Sequence, residues 1–167
     1  MKLTRRTALF AAPLALLAAC SGGPTRRYTG PEVTRITVYK DARKMYLWHG
    51  NLALKEYDIE LGFAPSGDKQ VEGDGRTPEG HYWIDRRNPN SRFHLSIGIS
   101  YPNEWDVAEA AKLGQSAGGD IFIHGQPSNG IRSLVPDWTW GCIAVSNEEI
   151  EEIYVMVRLG TPISIYA

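Results

Sequence analysis

Two side chains of this sequence have the chemistry needed for covalent catalysis: the imidazole of His124 and the thiol of Cys142. His124 lies near the end of the apolar segment 120–125, and Cys142 begins the apolar run 142–145. If these two segments are neighbouring strands, the loop between them brings imidazole and thiol to the same rim of a sheet. The thiolate is the nucleophilic form of cysteine, and a nearby base or imidazolium lowers the thiol pKa. The pair therefore predicts catalysis by a cysteine nucleophile.

The residues that flank the cysteine suit the same chemistry. Gly141 lets a substrate carbonyl approach the backbone closely, and the N–H groups of Trp140, Gly141 and Cys142 could form an oxyanion hole. Trp138 and Trp140 could form the wall of a substrate groove or pack beneath the loop. The competing interpretation is structural, because an unpaired cysteine is often a small buried apolar residue.

The segments IHG at 123–125 and TWGC at 139–142 resemble the signature of the L,D-transpeptidase catalytic (YkuD-like) domain. In that signature a His-Gly pair is followed by Ser/Thr-x-Gly-Cys, so Thr139 takes the Ser/Thr position and Gly125 follows the histidine. The upstream TPEG at 77–80 is similar to the Thr-Pro-x-Gly turn of the same family. The run GCIAV, which begins at Gly141, resembles that of a subgroup within the family.

The resemblance implies a mechanism and a partner. Cys142 would attack the carbonyl of the third residue of a peptidoglycan stem tetrapeptide and expel the terminal D-alanine, with His124 as general base and then acid. The acyl group would pass to an amine of another stem peptide or of an envelope protein. If water takes that place, the protein is an L,D-carboxypeptidase or endopeptidase. A catalytically inactive peptidoglycan-binding module is the alternative from a different class, and no cofactor is implied.

The sequence departs from the family pattern at two positions. Trp140 stands where many members have histidine, and Ala144 stands where many have arginine. These changes concern substrate recognition and acceptor choice rather than the nucleophile or the base. Arg132 could hold a substrate carboxylate in place of the missing arginine. Asp120 or Asp137 could orient His124, although the family favours a backbone carbonyl in that role.

The N-terminal segment has the features of an export signal. Three basic residues precede an unbroken apolar run of twelve residues, 8–19, which is too short for a stable bilayer span. The run ends in LAAC at 17–20, which resembles the lipobox of bacterial lipoproteins, so we expect residues 1–19 to be removed and Cys20 to be lipidated. The Arg5-Arg6 pair also resembles a twin-arginine signal. Residues 20–31 then form a flexible tether, and Ser21 favours the outer membrane of a Gram-negative bacterium.

Charge and histidine spacing narrow the classes of partner. The formal net charge is −1, and removal of residues 1–19, which hold three basic and no acidic residues, would leave −4. Because no basic stripe is present, a nucleic acid is an unsuitable partner. His81 and His94 together with His124 lack the spacing of a zinc motif, so no metal site is expected.

The remaining residues, 32–167, suit one domain that is mainly β and sandwich- or barrel-like, with two short helices. A long loop is expected at 62–80 and a turn at 88–90. Helices are expected at 103–114, capped by Asn103, and at 146–160, with a Ser146–Glu149 capping box and a stop at Gly160. Strands are expected within 33–40, 44–49, 52–61, 81–86, 92–99, 120–125, 142–145 and 161–167.

Overall fold

Eight strands and two helices make up the part of the chain that the computed structural model describes, residues 27–129 and 135–167. The predicted mainly β fold with two short helices is confirmed. In chain order the elements are β1 Arg35–Tyr39, β2 Lys44–His49, β3 Leu52–Asp58, β4 Gly80–Ser91, β5 His94–Ile99, α1 Glu104–Lys112, β6 Phe122–His124, β7 Ile143–Ala144, α2 Asn147–Met156 and β8 Pro162–Tyr166.

The strands form one sheet in the order β3-β2-β1-β8-β4-β5-β6-β7. The pairs β1–β8 and β6–β7 are parallel, and the other neighbours are antiparallel. Side chains alternate along each strand, so that Ile36 and Val38 of β1 enter the core while Tyr39 points away from it. Strand β4 is the longest and joins the two halves of the sheet, because it pairs with both β8 and β5.

The predicted turn at Asn88-Pro89-Asn90 is wrong, because these residues lie inside β4. The reversal toward β5 occurs at Arg92 and Phe93 instead. Proline lacks the N–H that a regular ladder uses, and it is tolerated in a strand where the pairing is irregular. The β4–β5 register shifts between Asn88 and Ser91, which places Pro89 at such a point.

Both helices begin where their caps predict. The Asn103 side chain accepts from the Asp106 N–H, and the Ser146 side chain accepts from the Glu149 N–H. In return, the side chains of Asp106 and Glu149 accept from the backbone N–H of the cap residue. Helix α2, however, ends at Met156, four residues before the predicted stop at Gly160.

The early end of α2 has a side-chain cause. Val157 closes the last turn by donating to the Ile153 carbonyl and then adopts extended backbone. The guanidinium of Arg87 on β4 donates to the carbonyls of Tyr154 and Val157. Because these carbonyls are satisfied from outside, the helix can end without leaving buried acceptors unpaired.

The core lies between the sheet and α2. Ile150 and Ile153 of α2 are fully buried, and this helix packs on β5 and β6. Ile97 and Ile123 are partners across β5 and β6 and are also fully buried. Because side chains alternate, the neighbouring residue His124 projects from the opposite side of β6.

The segments on which the export and lipidation predictions rest, residues 1–19 and Cys20, lie outside the described residues. Among the helices of residues 27–129 and 135–167, none is long and apolar enough to cross a membrane.

Candidate active site

Parallel pairing of β6 and β7 brings His124 and Cys142 into one cavity. Ile123 pairs with Ile143 and His124 with Ala144, while Cys142 immediately precedes β7. His124 and Cys142 both line a cavity of about 400 Å³, which we call the His–Cys cavity. Its other lining residues are Asn88, Asn90, Ser91, Arg92, Phe93, Ser96, Asp120 and Phe122.

The imidazole of His124 is oriented by a backbone carbonyl. Its Nδ1 lies 2.7 Å from the carbonyl oxygen of Gly125, which can only accept, so Nδ1 carries the proton and Nε2 is left as the acceptor. Burial lowers the pKa of His124, an effect that the Gly125 carbonyl partly opposes. The buried ring is therefore neutral near pH 7 and suited to accept a proton.

Neither aspartate considered for the orienting role is hydrogen-bonded to the histidine. Asp120 is paired with Arg86 at 2.9 Å, and Asp137 is paired with Arg43 at 2.7 Å. Ring contacts hold the imidazole instead: Phe93 stacks on it at 4.5 Å, and Trp138 meets it edge-on at 5.6 Å.

The thiol of Cys142 is half-buried, and its Sγ lies 3.6 Å from the carbonyl oxygen of Asp120. Burial raises the pKa of this thiol, and the Asp120 carboxylate acts in the same direction. The lowered thiol pKa expected for Cys142 beside a histidine is therefore wrong for this buried environment. Both shifts favour the neutral forms of the thiol and the imidazole, so a nucleophilic role of Cys142 would need proton transfer during the attack rather than an ion pair formed beforehand.

The turn before Cys142 is held by Thr139. Its hydroxyl donates to the Cys142 carbonyl at 2.8 Å and accepts from the Gly141 N–H at 3.1 Å. In this conformation the Gly141 N–H already has a partner, so the prediction that it contributes to an oxyanion hole is wrong. Thr139 thus stabilises the turn, because its hydroxyl bonds two backbone groups within residues 139–142.

Glycine at 141 is required by both conformation and space. Its φ is +117°, and a Cβ there would lie 2.5 Å from the carbonyl oxygen of Arg76. A Cβ at Gly62 would lie 2.1 Å from the Gly75 carbonyl oxygen and 2.9 Å from the Gly141 Cα. The predicted loop 62–80 is thus packed backbone against backbone with the turn that precedes Cys142.

The loop 62–80 is fastened by a buried lysine, Lys40, that no motif of the sequence indicates. The Nζ of Lys40 is 2.8 Å from Glu79, 2.9 Å from the Thr77 carbonyl and 2.6 Å from the Gly67 carbonyl. All three ammonium donors are therefore satisfied, as a buried cation requires.

A second fastening that the sequence did not reveal joins Arg43 to Asp137. The carboxylate receives three bonds from the guanidinium, at 2.7, 3.0 and 3.2 Å, and one from the Leu61 N–H at 2.9 Å. Asp137 has a φ of +52°, so the chain turns sharply there before it enters the segment that leads to Cys142. This contact fixes where the loop between His124 and Cys142 returns to the domain.

The two tryptophans near Cys142 occupy different environments. Trp138 is half-buried, and its indole N–H donates to Glu60 while its ring contacts His124. Trp140 is 73% exposed and contacts the ring of Phe63 edge-on at 5.1 Å. Trp138 therefore packs against Glu60 and the His124 ring, whereas Trp140 stands at the surface beside Cys142.

Cys142 also borders a second cavity, of about 430 Å³, on the side of Trp140. Lys69, Glu72, Gly73, Gly118, Gly119, Asp120 and Ile121 line the remainder. The thiol thus lies between two cavities, each of a size that could admit part of a peptide.

The comparison with known proteins identifies the family. The family described as the L,D-transpeptidase catalytic domain, YkuD, matches residues 33–165. This chain belongs to the L,D-transpeptidase catalytic domain family. It is 33% identical over 128 residues to YafK of Escherichia coli (strain K12), whose assignment as an L,D-transpeptidase is provisional. That match covers 73% of this chain and 46% of YafK, so the chain spans about half the length of its curated relative.

Solved structures have the same fold. Pgp2 of Campylobacter jejuni, a helical cell shape determining protein, aligns with a TM-score of 0.63 at 26% identity, over 87% of this chain and 51% of Pgp2. Bd1075 of Bdellovibrio bacteriovorus aligns with a TM-score of 0.56 at 27% identity, over 81% and 48%. L,D-transpeptidase 1 of Mycobacterium tuberculosis is 12% identical with a TM-score of 0.52 over 81% and 62%, which shows the fold alone.

The position where many L,D-transpeptidase domains have arginine leaves a space in this one. Ala144 is fully buried in β7 and lines a third cavity, of about 340 Å³, with Glu60, Gln126 and Glu149. Arg132, the predicted substitute for that arginine, lies outside the described residues.

The other histidines of this L,D-transpeptidase domain have structural partners. His81 bonds Ser164 at 2.9 Å, and His94 bonds Glu151 at 2.7 Å. Within residues 27–129 and 135–167, no group of three or more His, Cys, Asp or Glu side chains is arranged to hold a metal ion.

Proposed function

We propose that this protein is a cysteine acyltransferase of the L,D-transpeptidase type, which acts on peptidoglycan stem tetrapeptides through an acyl-enzyme on Cys142. The observation that carries the proposal is the shared cavity, which is lined both by a half-buried thiol and by an imidazole whose Nδ1 is bound to the Gly125 carbonyl. That bond leaves Nε2 of His124 as the acceptor for the thiol proton.

The proposed reaction has two steps. Sγ attacks the carbonyl carbon of the third residue while Nε2 of His124 takes the thiol proton, and the tetrahedral intermediate collapses with expulsion of D-alanine. The imidazolium gives its proton to the departing amine, which leaves a thioester on Cys142 and neutral His124. In the second step His124 deprotonates an acceptor amine, which attacks the thioester and restores the thiol.

The two cavities on either side of Cys142 support a division between donor and acceptor. Trp140 stands on only one of these sides, beside Lys69 and Glu72. In place of the family histidine, its exposed indole offers apolar area and a hydrogen-bond donor, but no base. Trp140 therefore changes the surface that an acceptor would meet, and hydrolysis of the same bonds, with water as the acceptor and His124 as its base, is the second candidate function.

The cell envelope is the proposed location. Export by the N-terminal signal and a lipid on Cys20 would hold the domain close to a membrane and near its substrate, the cell wall. The proposed anchor is the outer membrane of a Gram-negative bacterium, with residues 20–31 as the tether.

Incubation with purified peptidoglycan tests the function directly. We expect the wild-type protein to release D-alanine from tetrapeptide-containing muropeptides and to form a covalent adduct of Cys142 with a carbapenem, both detected by mass spectrometry. Cross-linked products would indicate transpeptidation, and tripeptides alone would indicate hydrolysis. Cys142→Ala is the matched control and should give neither adduct nor release. A wild-type protein that binds peptidoglycan without adduct or release would instead be a binding module.

A further inference from the structure

A row of aromatic rings crosses the outer face of the sheet. The rings of Trp48 and Tyr46 on β2 are 5.7 Å apart, and Tyr46 lies 6.0 Å from Tyr39 on β1. Tyr39 stacks on Tyr166 of β8 at 5.4 Å, and Tyr166 meets the His81 ring of β4 at 6.2 Å. Five rings from four adjacent strands thus form one continuous surface, which we call the aromatic row.

The aromatic row follows from the alternation of side chains along the strands. Tyr39 and Tyr166 are register partners on β1 and β8, and their rings are 39% and 42% exposed. Their neighbours Val38 and Ile165 are buried on the opposite face. Large apolar side chains that lie together in contact with water mark binding surfaces more often than isolated ones do.

The face that carries the aromatic row continues toward the His–Cys cavity through β4. His81 and Trp83 point outward from this strand, and the register shift after Ile84 leaves Arg86 on the same exposed side. The guanidinium of Arg86 lies 4.8 Å over the ring of Phe122, which lines the His–Cys cavity. A polymer bound along the row would therefore extend toward that cavity.

Two cations beside the aromatic row, Arg35 and Lys44, are matched in number by two carboxylates, Glu56 and Asp58. The guanidinium of Arg35 lies 4.8 Å over the ring of Trp48. Lys44 is paired with Glu56 at 2.6 Å and with Asp58 at 2.8 Å. A surface for anionic lipids or nucleic acids needs uncompensated Lys and Arg side chains. The charge balance of this face therefore matches a neutral partner.

We propose that the aromatic row binds the glycan strand of peptidoglycan; this rests on the proposed function for the choice of polymer. A pyranose ring presents C–H groups on its faces and polar groups at its edge. Its faces can stack on the exposed rings of Tyr39 and Tyr166, while tyrosine hydroxyls and the His81 imidazole bond the edges. Stem peptides branch from that strand, so a glycan held on the row would present them to the His–Cys cavity.

The test uses a soluble hexamer of β-1,4-linked N-acetylglucosamine, a sugar chain of the same linkage that carries no peptide. Calorimetric titration of the full-length protein measures its Kd. We expect the double variant Tyr39→Ala/Tyr166→Ala to bind at least about tenfold more weakly, because two stacking faces are lost. The variant Tyr39→Phe/Tyr166→Phe keeps both rings and should retain most of the affinity. Trp105→Ala, at a more exposed aromatic on α1 outside the row, is the control and should bind like wild type.

The outcomes that overturn the proposal are distinct. No binding of the hexamer by wild type, or equal binding by the Ala/Ala variant, would overturn it. Binding to phosphatidylcholine–phosphatidylglycerol vesicles that is lost in the Ala/Ala variant, without hexamer binding, would assign the row to a membrane surface. If the Ala/Ala variant does not fold by circular dichroism, Tyr166→Ala alone, near the chain end, gives the same comparison.

The failure of this proposal can be separated from failure of the proposed function. Carbapenem acylation of Cys142 and D-alanine release from a soluble tetrapeptide do not require a glycan. We expect both to be unchanged in the Ala/Ala variant, while turnover of intact peptidoglycan falls. If the wild type binds the hexamer but Cys142 is not acylated, the proposed enzymatic function is wrong and the proposed glycan-binding surface is supported.

Discussion

The Nδ1–H of His124 donates to the carbonyl oxygen of the residue that follows it, Gly125, over 2.7 Å. A carbonyl cannot take up the proton, so this contact holds one tautomer and directs Nε2 away from Gly125. In the proposed mechanism this arrangement supplies a positioned neutral base without a carboxylate partner. The testable consequences concern the pKa of the histidine, the reactivity of the thiol and the stability of the turn that carries it.

The pH dependence of acylation should report the histidine. Burial lowers the pKa of His124 in the folded protein, so the base stays unprotonated below the ordinary histidine value of about 6.5. We expect the acid limb of kcat/KM for carbapenem acylation to lie below pH ~6.5. His124→Ala should reduce the rate by about 10²–10⁴-fold and remove that limb. An acid limb above the ordinary value would contradict the assignment of His124 as a desolvated base.

The same shift predicts how stability depends on pH. Because the folded-state pKa of His124 is depressed, the unfolded chain binds the proton first as the pH falls. The resulting contribution to stability is present above pH ~6.5 and declines as pH falls through and below this value. Urea unfolding of wild type and His124→Gln at pH 7.5 and 5.5 checks the sign, and the glutamine variant should lose less stability on acidification.

Alkylation should reveal the raised pKa of the thiol. Burial raises the pKa of Cys142, so its reaction with iodoacetamide should reach half its maximal rate above the ~8.5 of a free cysteine. A Cys20→Ser background leaves Cys142 as the single thiol of the chain. A midpoint below the free value would show that His124 and Cys142 rest as an ion pair.

Substitution of Gly141 separates steric conflict from backbone strain. Gly141→Ala introduces a Cβ 2.5 Å from the Arg76 carbonyl oxygen at a φ of +117°. Gly160→Ala is the control, because φ is +84° there and no atom lies within 4 Å of the new Cβ. Strain alone should cost about 1–3 kcal/mol in the control. Gly141→Ala should lose more stability in thermal unfolding, and its carbapenem acylation should also slow.

Removal of the Asp137 carboxylate should lower the stability of the protein, because the contacts that hold the segment before Cys142 to Arg43 and Leu61 are lost. Asp137→Ala leaves Arg43 and the Leu61 N–H without their acceptor, so we expect a loss of about 1–3 kcal/mol in chemical unfolding. Asp137→Asn retains one oxygen acceptor and should lose less. If both variants match wild type in stability and acylation, the ion pair has no positioning role.

The lipid anchor has a simple test. Cys20→Ser removes the thiol to which the proposed lipid is attached, and it should move the protein from the membrane fraction to the soluble fraction. Mass spectrometry of the wild type should show a chain that begins at a lipid-modified Cys20. Retention of the Cys20→Ser variant in membranes would contradict the anchor.

Local patterns identified much of this domain from the sequence. Alternation of apolar residues located most strands, because the side-chain period of a strand is two. Caps located the helix starts, since Asn103 and Ser146 bond N–H groups only three residues away. The spacing of His124 and Cys142, together with TPEG, indicated the family. These features depend on neighbours along the chain, so a single sequence contains them.

Contacts between distant segments decided the remainder. Asp137 could have oriented the histidine by its position, yet it binds Arg43, 94 residues away. The thiol pKa follows from burial, which depends on all the elements packed around Cys142. The aromatic row exists only because β2, β1, β8 and β4 become neighbours, and β8 is the last strand of the chain. Composition and periodicity constrain each segment, but the partners of a side chain depend on which strands become neighbours in the folded sheet.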